Sequence, residues 1–398
     1  SSSEILFVCV AGYIAAKYGI ITSSAQKGIT SLIINILMPC LLFSEVGSDI
    51  DISKLISLWP VPTFFGIFAI ISALLGFFVG KFLNLSSAKT KFIMTGIMFN
   101  NVTSLPLGLL RGIENTSAME LLVKDEVDTP GESIKRGKSY ILLAVLFGTL
   151  LRWSFGAFLL KKESTNDEED PLITPSKALP PIHYVRSSSY AATTSSQPDE
   201  STQLLRSTKR TLWTETKRLL NKYIKIFRSV MNPPLYAAVI SLIVGTVPPL
   251  KNVFFGHDAA FSVLSQATEY IGTITIPLTL ISLGAQLKNM QCSKGNQILS
   301  TIGYIMACRF FIMPIIGVVL VLVTKSWYMQ DPMLWFVLML FASGPTAIGC
   351  INLAQLNESF EEEMAALLFY SYVAVPPLLT LIVMSMLTVI GSVNSFIG

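Results

Sequence analysis

Asn100, Asn101, Thr103 and Ser104 stand just ahead of Pro106 inside an otherwise apolar run. Ser343, Gly344, Pro345 and Thr346 interrupt a second apolar run in the other half of the chain. Asn, Ser and Thr side chains donate and accept hydrogen bonds without a permanent charge. Proline lacks the N–H that would bind the carbonyl four residues back, here that of Val102. A helix broken this way exposes N–H groups that favour an anion and carbonyls that favour a cation. The chemistry available to these residues is binding rather than bond-making. Polar groups deep in an apolar segment are costly unless they line a protein-walled cavity. Bridging of neighbouring helices would explain a lone Asn or Ser, but it explains two clusters at matching places less well. Asn352, later in the second run, is a weaker candidate of the same type.

Other residues extend the set. Pro39 and Pro277 either kink their helices or bend them around the polar breaks, and the second reading makes them candidate ligand-facing positions. Asn35, one turn before Pro39, then faces the same cavity, with Thr273 as its counterpart. Arg309 falls at mid-depth of a predicted span, where it either attracts an anion or balances a carbonyl-lined helix end. Arg152 stands nine residues before Lys161, which favours snorkelling toward the surface. Glu45 and Glu269 fall near the ends of their spans, and no carboxylate lies beside the breaks in sequence. No coupling ion is therefore indicated, and Glu269 is only a secondary candidate for a proton site.

The elements that must hold these residues are helices in a membrane. The chain is 52% hydrophobic and only 14% charged, against roughly 25% charged in soluble domains. Its mean hydropathy is +0.59. With about 20 apolar residues needed per crossing, ten spans are predicted near 4–22, 29–46, 59–83, 89–110, 139–160, 233–250, 262–287, 297–324, 333–355 and 364–391. The expected division is a first five-span repeat at 1–161, a polar loop at 162–231 and a second repeat at 232–398. Pro39 and Pro106 are 67 residues apart, and Pro277 and Pro345 are 68 apart. An odd number of spans per half inverts the second half relative to the first. The predicted fold is thus an all-α polytopic membrane protein, a 5+5 inverted repeat with broken, crossing helices four and nine. Basic residues flanking the spans place the central loop in the cytosol and both termini on the other side.

With Met98-Phe99-Asn100-Asn101-Val102-Thr103-Ser104-Leu105-Pro106-Leu107-Gly108 at the first break, the chain resembles the auxin efflux carrier superfamily, closest to its fungal and PIN-like branch. The resemblance covers both membrane halves and not the loop. It implies a fold like that of bacterial sodium/proton (NhaA) and bile-acid carriers, with a scaffold of spans one, two, six and seven, a moving domain of the rest, and a homodimer. The resulting expectation is a secondary carrier for a small organic anion, an auxin-like carboxylate among the options, working by crossover-type alternating access. The alternatives are an ion-coupled symporter, or a sensor or scaffold that binds a lipid or metabolite and signals through the loop.

Catalysis is poorly served. The two histidines, His183 and His257, lie in the loop and in a polar turn. The five cysteines show no CxxC or Cys/His spacing, so no metal or cofactor is expected. Gly76-Phe77-Phe78-Val79-Gly80-Lys81 has the wrong spacing for a phosphate loop. The loop carries addresses instead. Glu168 with Leu172 and Ile173, and Glu200 with Leu204 and Leu205, fit the acidic dileucine pattern read by sorting adaptors. They point to a vacuolar or lysosomal membrane, whereas the PIN-like resemblance points to the endoplasmic reticulum. Asn115-Thr116-Ser117 is a glycosylation acceptor. The expected partners are the anion, membrane lipid, sorting adaptors and a second copy of the chain, with no nucleic acid.

Overall fold

Helix starts follow local capping chemistry. In the computed structural model the side chain of Thr22 accepts from the Ala25 N–H, Ser86 from Lys89 and Thr129 from Glu132, each at the N-cap of a helix. Residues 2–50, 52–102, 104–114, 116–124, 128–161, 231–256, 259–289 and 295–397 are described. The two sorting motifs, Glu168–Ile173 and Glu200–Leu205, and the glycosylation acceptor Asn115 lie outside them.

The first half runs α1 (Ser2–Lys17), α2 (Ser23–Leu32), α3 (Met38–Asp49), α4 (Ile52–Ser57), α5 (Pro60–Phe82), α6 (Ser87–Met98), α7 (Ser104–Ile113), α8 (Pro130–Leu151) and α9 (Ala157–Leu159). The second runs α10 (Pro233–Thr246), α11 (Pro248–Phe255), α12 (Ser262–Thr273), α13 (Thr275–Asn289), α14 (Gly295–Ala307), α15 (Met313–Thr324), α16 (Pro332–Ala342), α17 (Cys350–Leu356) and α18 (Glu361–Ile397). The described residues are helical and contain no strand beyond one isolated bridge.

Among the described residues, six helical stretches are long and apolar enough to cross a membrane, namely Ser23–Asp49, Pro60–Phe82, Pro130–Leu159, Ser262–Lys288, Ile298–Trp327 and Glu361–Val393. A seventh candidate, Pro233–Thr246 with Pro248–Phe255, bends by 105°. Val247, held extended ahead of Pro248, makes that bend. This is fewer than the ten predicted spans. The runs at 89–110 and 333–355 are each divided into two short helices, and the first helix offers only Ile5–Lys17 as an apolar stretch. The helix that carries the fifth predicted span extends back to Pro130, where Thr129 caps it and Arg136 finds acidic partners.

Among the described residues, three π turns interrupt the long helices, at Ile33–Leu37, Arg152–Gly156 and Cys308–Ile312. Two of them end just before Pro39 and Pro314. There the N–H groups of Met38 and Met313 reach the carbonyls of Ile33 and Cys308, five residues back. The wider turn accommodates the proline ring and its missing N–H without breaking the helix.

Packing relies on close backbone approach. A Cβ at Gly12 of α1 would overlap the Ile281 carbonyl of α13, and one at Gly284 would overlap the Cys9 carbonyl. Without a hydrophobic drive between helices in lipid, such small-residue contact provides the van der Waals attraction. Helix α10 packs along α3 in the corresponding way. Helix α16 is buried along its whole length, from Pro332 to Ala342. Asp331, fully buried at its N-terminus, accepts from the Met333 N–H at 3.0 Å, from Tyr140 Oη at 2.6 Å and from Arg136 Nε at 3.1 Å.

Candidate binding site at the crossing

Helix α6 stops at Met98 and α16 stops at Ala342, and the two segments that follow run antiparallel. The Asn101 N–H donates to the Pro345 carbonyl at 3.0 Å, and the Ala347 N–H donates to Phe99 at 2.8 Å. Gly344 turns the second segment at φ +97°, a left-handed conformation that glycine adopts without a Cβ clash.

The break residues cap each other's helices. Thr346 Oγ1 donates to the Gly96 carbonyl in the last turn of α6 at 2.8 Å, while Asn100 Nδ2 donates to the Phe341 carbonyl in the last turn of α16. Arg309 is only 2% exposed. Its Nη1 donates to the Ile97 carbonyl at 2.8 Å and its Nη2 to Pro345 at 3.2 Å. The guanidinium thus neutralises the negative end of α6 and the carbonyl-rich break. Ser343 Oγ turns back to the Met339 carbonyl at 3.2 Å.

Asn101 has a different environment. Its Nδ2 donates to Tyr372 Oη at 2.6 Å, and the residue lines a cavity of about 90 Å³. Val102, Gly349 and Asn352 come to this cavity from the crossing, Thr149 and Arg152 from the α8 span, Thr275 and Thr279 from α13, and Leu42 and Glu45 from α3. Among the described residues, six buried side-chain nitrogens or oxygens have no hydrogen-bond partner. Three of them, Arg152 Nε, Thr275 Oγ1 and Asn352 Oδ1, belong to residues lining this one cavity.

A second cavity, about 400 Å³, is lined by amides and hydroxyls including Gln26, Thr30, Asn35, Gln286 and Gln355. A polar ladder runs from the small cavity toward it. Asn352 Nδ2 meets Thr279 Oγ1 at 3.5 Å, Gln355 Nε2 meets Ser282 Oγ at 3.4 Å, and Gln26 bonds Gln286. A third cavity, also about 400 Å³, is lined by Glu45, Ser48, Asp49, Phe254, Phe255 and Glu269. Glu45 lines both this one and the small cavity.

The predicted candidates therefore separate. Asn101 and Asn352 line the small cavity. Asn100, Ser343, Pro345, Thr346 and Arg309 build the crossing beside it, and Gly344 turns there. Pro106 is buried within α7 and does not line the cavity. Thr103 and the side chain of Ser104 lie outside the described residues. Asn35 is exposed, bonds Ser31 in its own helix and faces the second cavity, while Thr273 is exposed and bonds Tyr270. Pro39 and Pro277 do not line the small cavity, and their neighbours Met38 and Ile276 do. Arg152, read as snorkelling, instead lines the cavity, at the residue where a π turn starts. Sequence reasoning also missed Thr149, Thr275, Thr279 and Tyr372. The spacing of Thr275 and Thr279, one turn apart across Pro277, was the available signal.

Comparison with known proteins identifies the family of the chain. Residues 3–383 match the family model described as membrane transport protein. An uncharacterized transporter of Schizosaccharomyces pombe is 28% identical over 95% of this chain and 91% of its own length. An uncharacterized transporter of Saccharomyces cerevisiae is 27% identical over 96% and 93%. Protein PIN-LIKES 7 of Arabidopsis thaliana is 24% identical over 95% and 93%. The chain belongs to the membrane transport protein family, the group of the PIN and PIN-like carriers, and is a multi-pass membrane transporter.

Proposed function

We propose that the chain is a secondary carrier for a small organic anion, bound in the cavity beside the crossing. The observation that carries this reading is the clustering of unpartnered polar atoms, Arg152 Nε, Thr275 Oγ1 and Asn352 Oδ1, around one small cavity. Buried polar groups normally find partners, so a cluster of orphans marks the place of a ligand or its water. Arg152 supplies the positive charge, and Asn101, Thr149 and Asn352 supply neutral hydrogen bonds. A cavity of about 90 Å³ is smaller than the roughly 300 Å³ of a typical small-molecule pocket, so the site must widen during transport.

In this reading the divided runs at 89–110 and 333–355 are spans four and nine of a ten-span inverted repeat. The mirrored packing of α1 on α13 and of α10 on α3 supports it. Alternating access then moves the crossing domain against a scaffold that contains α3 and α13. The same reading keeps a cytosolic central loop, an intracellular membrane of vacuolar or endoplasmic-reticulum type, and a homodimer. An auxin-like carboxylate is one member of the substrate class.

The experiment is flux of a panel of radiolabelled carboxylates and sulfonates in proteoliposomes. Arg152→Gln and Asn101→Ala are expected to reduce flux at least tenfold while the protein remains folded by size-exclusion chromatography. Undiminished flux in both variants would remove the cavity from the mechanism.

A further inference from the structure

We propose that Glu45 is the proton-carrying residue of this transport site, taking up one proton as the cavity receives an anion. The proposal rests on the organic-anion reading above. Two carboxylates, Asp49 and Glu269, line the third cavity but not the small one. Among the described acidic residues Glu45 alone lines both, so it touches the ligand space and an open route for protons. Its carboxylate has no hydrogen-bond or ion-pair partner among the described residues.

The charge arithmetic of the small cavity makes the role specific. Its charged lining residues are Glu45 and Arg152. With both ionised the cavity is neutral, and an incoming anion leaves one negative charge in a low-dielectric, water-poor space. With Glu45 protonated, Arg152 and the anion balance. A neutral Glu45 is also a hydrogen-bond donor. Asn352, 1% exposed and lining the same cavity, holds an acceptor oxygen without a partner.

Among the described residues, the other titratable and charged groups around Glu45 do not neutralise it. Asp49 on its own helix and Glu269 on α12 share its sign. Lys251 on α11 is engaged with the Ile50 carbonyl at 2.9 Å. Cys40 and Cys350 are free thiols, on α3 and α17. Arg152 is the countercharge in the small cavity, and an anion would compete for it.

Benzenesulfonate tests the idea because its charge does not change between about pH 5 and pH 8. Its binding to the purified full chain is measured by titration calorimetry in two buffers of different ionisation heat. Across the pH range in which affinity falls, the expected result is uptake of about one proton per sulfonate. The affinity should weaken up to about tenfold per pH unit above the pH at which Glu45 ionises. Glu45→Gln should bind with no proton uptake and a flat pH profile, whereas Asp49→Asn and Glu269→Gln should retain the uptake.

Proton uptake that persists in Glu45→Gln overturns the assignment, as does uptake lost only in Asp49→Asn or Glu269→Gln. Sulfonate binding without proton uptake by the unmodified chain removes the proposal and leaves the anion reading standing. No binding at any pH removes both. If Glu45→Gln does not fold, Glu45→Asp keeps a titrating carboxyl and must shift the midpoint of the affinity–pH curve. An unmoved midpoint counts against Glu45.

Discussion

At the residue scale, polar side chains in this apolar interior divide between capping and lining. Asn100, Thr346 and Arg309 satisfy helix-end carbonyls that have no intrahelical partner. Asn101, Arg152 and Asn352 face open space. Adjacent Asn100 and Asn101 have different tasks because successive residues of an extended segment point to opposite sides. The two groups should respond differently to substitution. Asn100→Leu leaves the Phe341 carbonyl unpaired and should cost about 1–3 kcal/mol of stability. That loss is measurable as a lowered thermal midpoint in detergent. Arg152→Gln should lower transport far more than stability, since Arg152 makes one long bond, to Thr149 at 3.3 Å. A stability loss in Arg152→Gln equal to that in Asn100→Leu would contradict the division.

At the element scale, two devices hold the short helices. One is the glycine contact between α1 and α13. Gly284→Val places a branched side chain against the Cys9 backbone and should cost several kcal/mol, about 3 or more, so folded yield in detergent should collapse. Gly303→Val, at a position with open space, should be tolerated. The second device is the acidic clamp at the start of α16. Arg136 pairs with Asp128 at 2.6 Å and with Asp331 at 3.1 Å, and Ser133 Oγ donates to Asp128 at 2.6 Å. The Arg136 hydrogen bond holds the Asp128 carboxyl well below the usual carboxylate range. A depressed folded-state pKa stabilises above the unfolded value, near 3.9, and that stabilisation is lost as pH falls below it. The unmodified chain should therefore lose stability steeply below about pH 4. Asp128→Asn should be less stable at neutral pH and should show a shallower acid loss, read by thermal unfolding at stepped pH.

At the scale of the whole molecule, the small cavity lies between two larger polar ones, and the polar ladder lies along one boundary. Its rungs at 3.4 and 3.5 Å are long, neutral contacts, weak enough to exchange as helices slide. Helix α17 carries Asn352 and Gln355 on one face, and α13 carries Thr279 and Ser282 opposite. Under the alternating-access proposal these helices belong to different moving bodies. Cross-linking Ser282→Cys to Gln355→Cys, in a chain whose native cysteines are replaced, should stop flux reversibly. Flux that continues at full rate in the cross-linked protein would show that α13 and α17 do not separate. Each single-cysteine variant should transport before and after oxidation.

The sequence by itself determined a helical membrane protein with two polar breaks, because hydropathy, proline spacing and basic flanks are local properties that lipid reads residue by residue. It placed Asn101 and Asn352 among the candidates for the same reason. The tertiary structure decided which polar groups are spent and which are open. Asn100 and Thr346 look like ligands in sequence, and only the antiparallel crossing reveals that each caps the other's helix. Arg152 looks like a surface-seeking residue, and only the packing of the α8 span beside the crossing shows that it lines the cavity. Glu45 is distant from the breaks in sequence, and only the packing of α3 beside them brings its carboxylate to the cavity. Hydrogen-bond partners across a membrane core come from segments hundreds of residues apart, and no local pattern encodes that pairing.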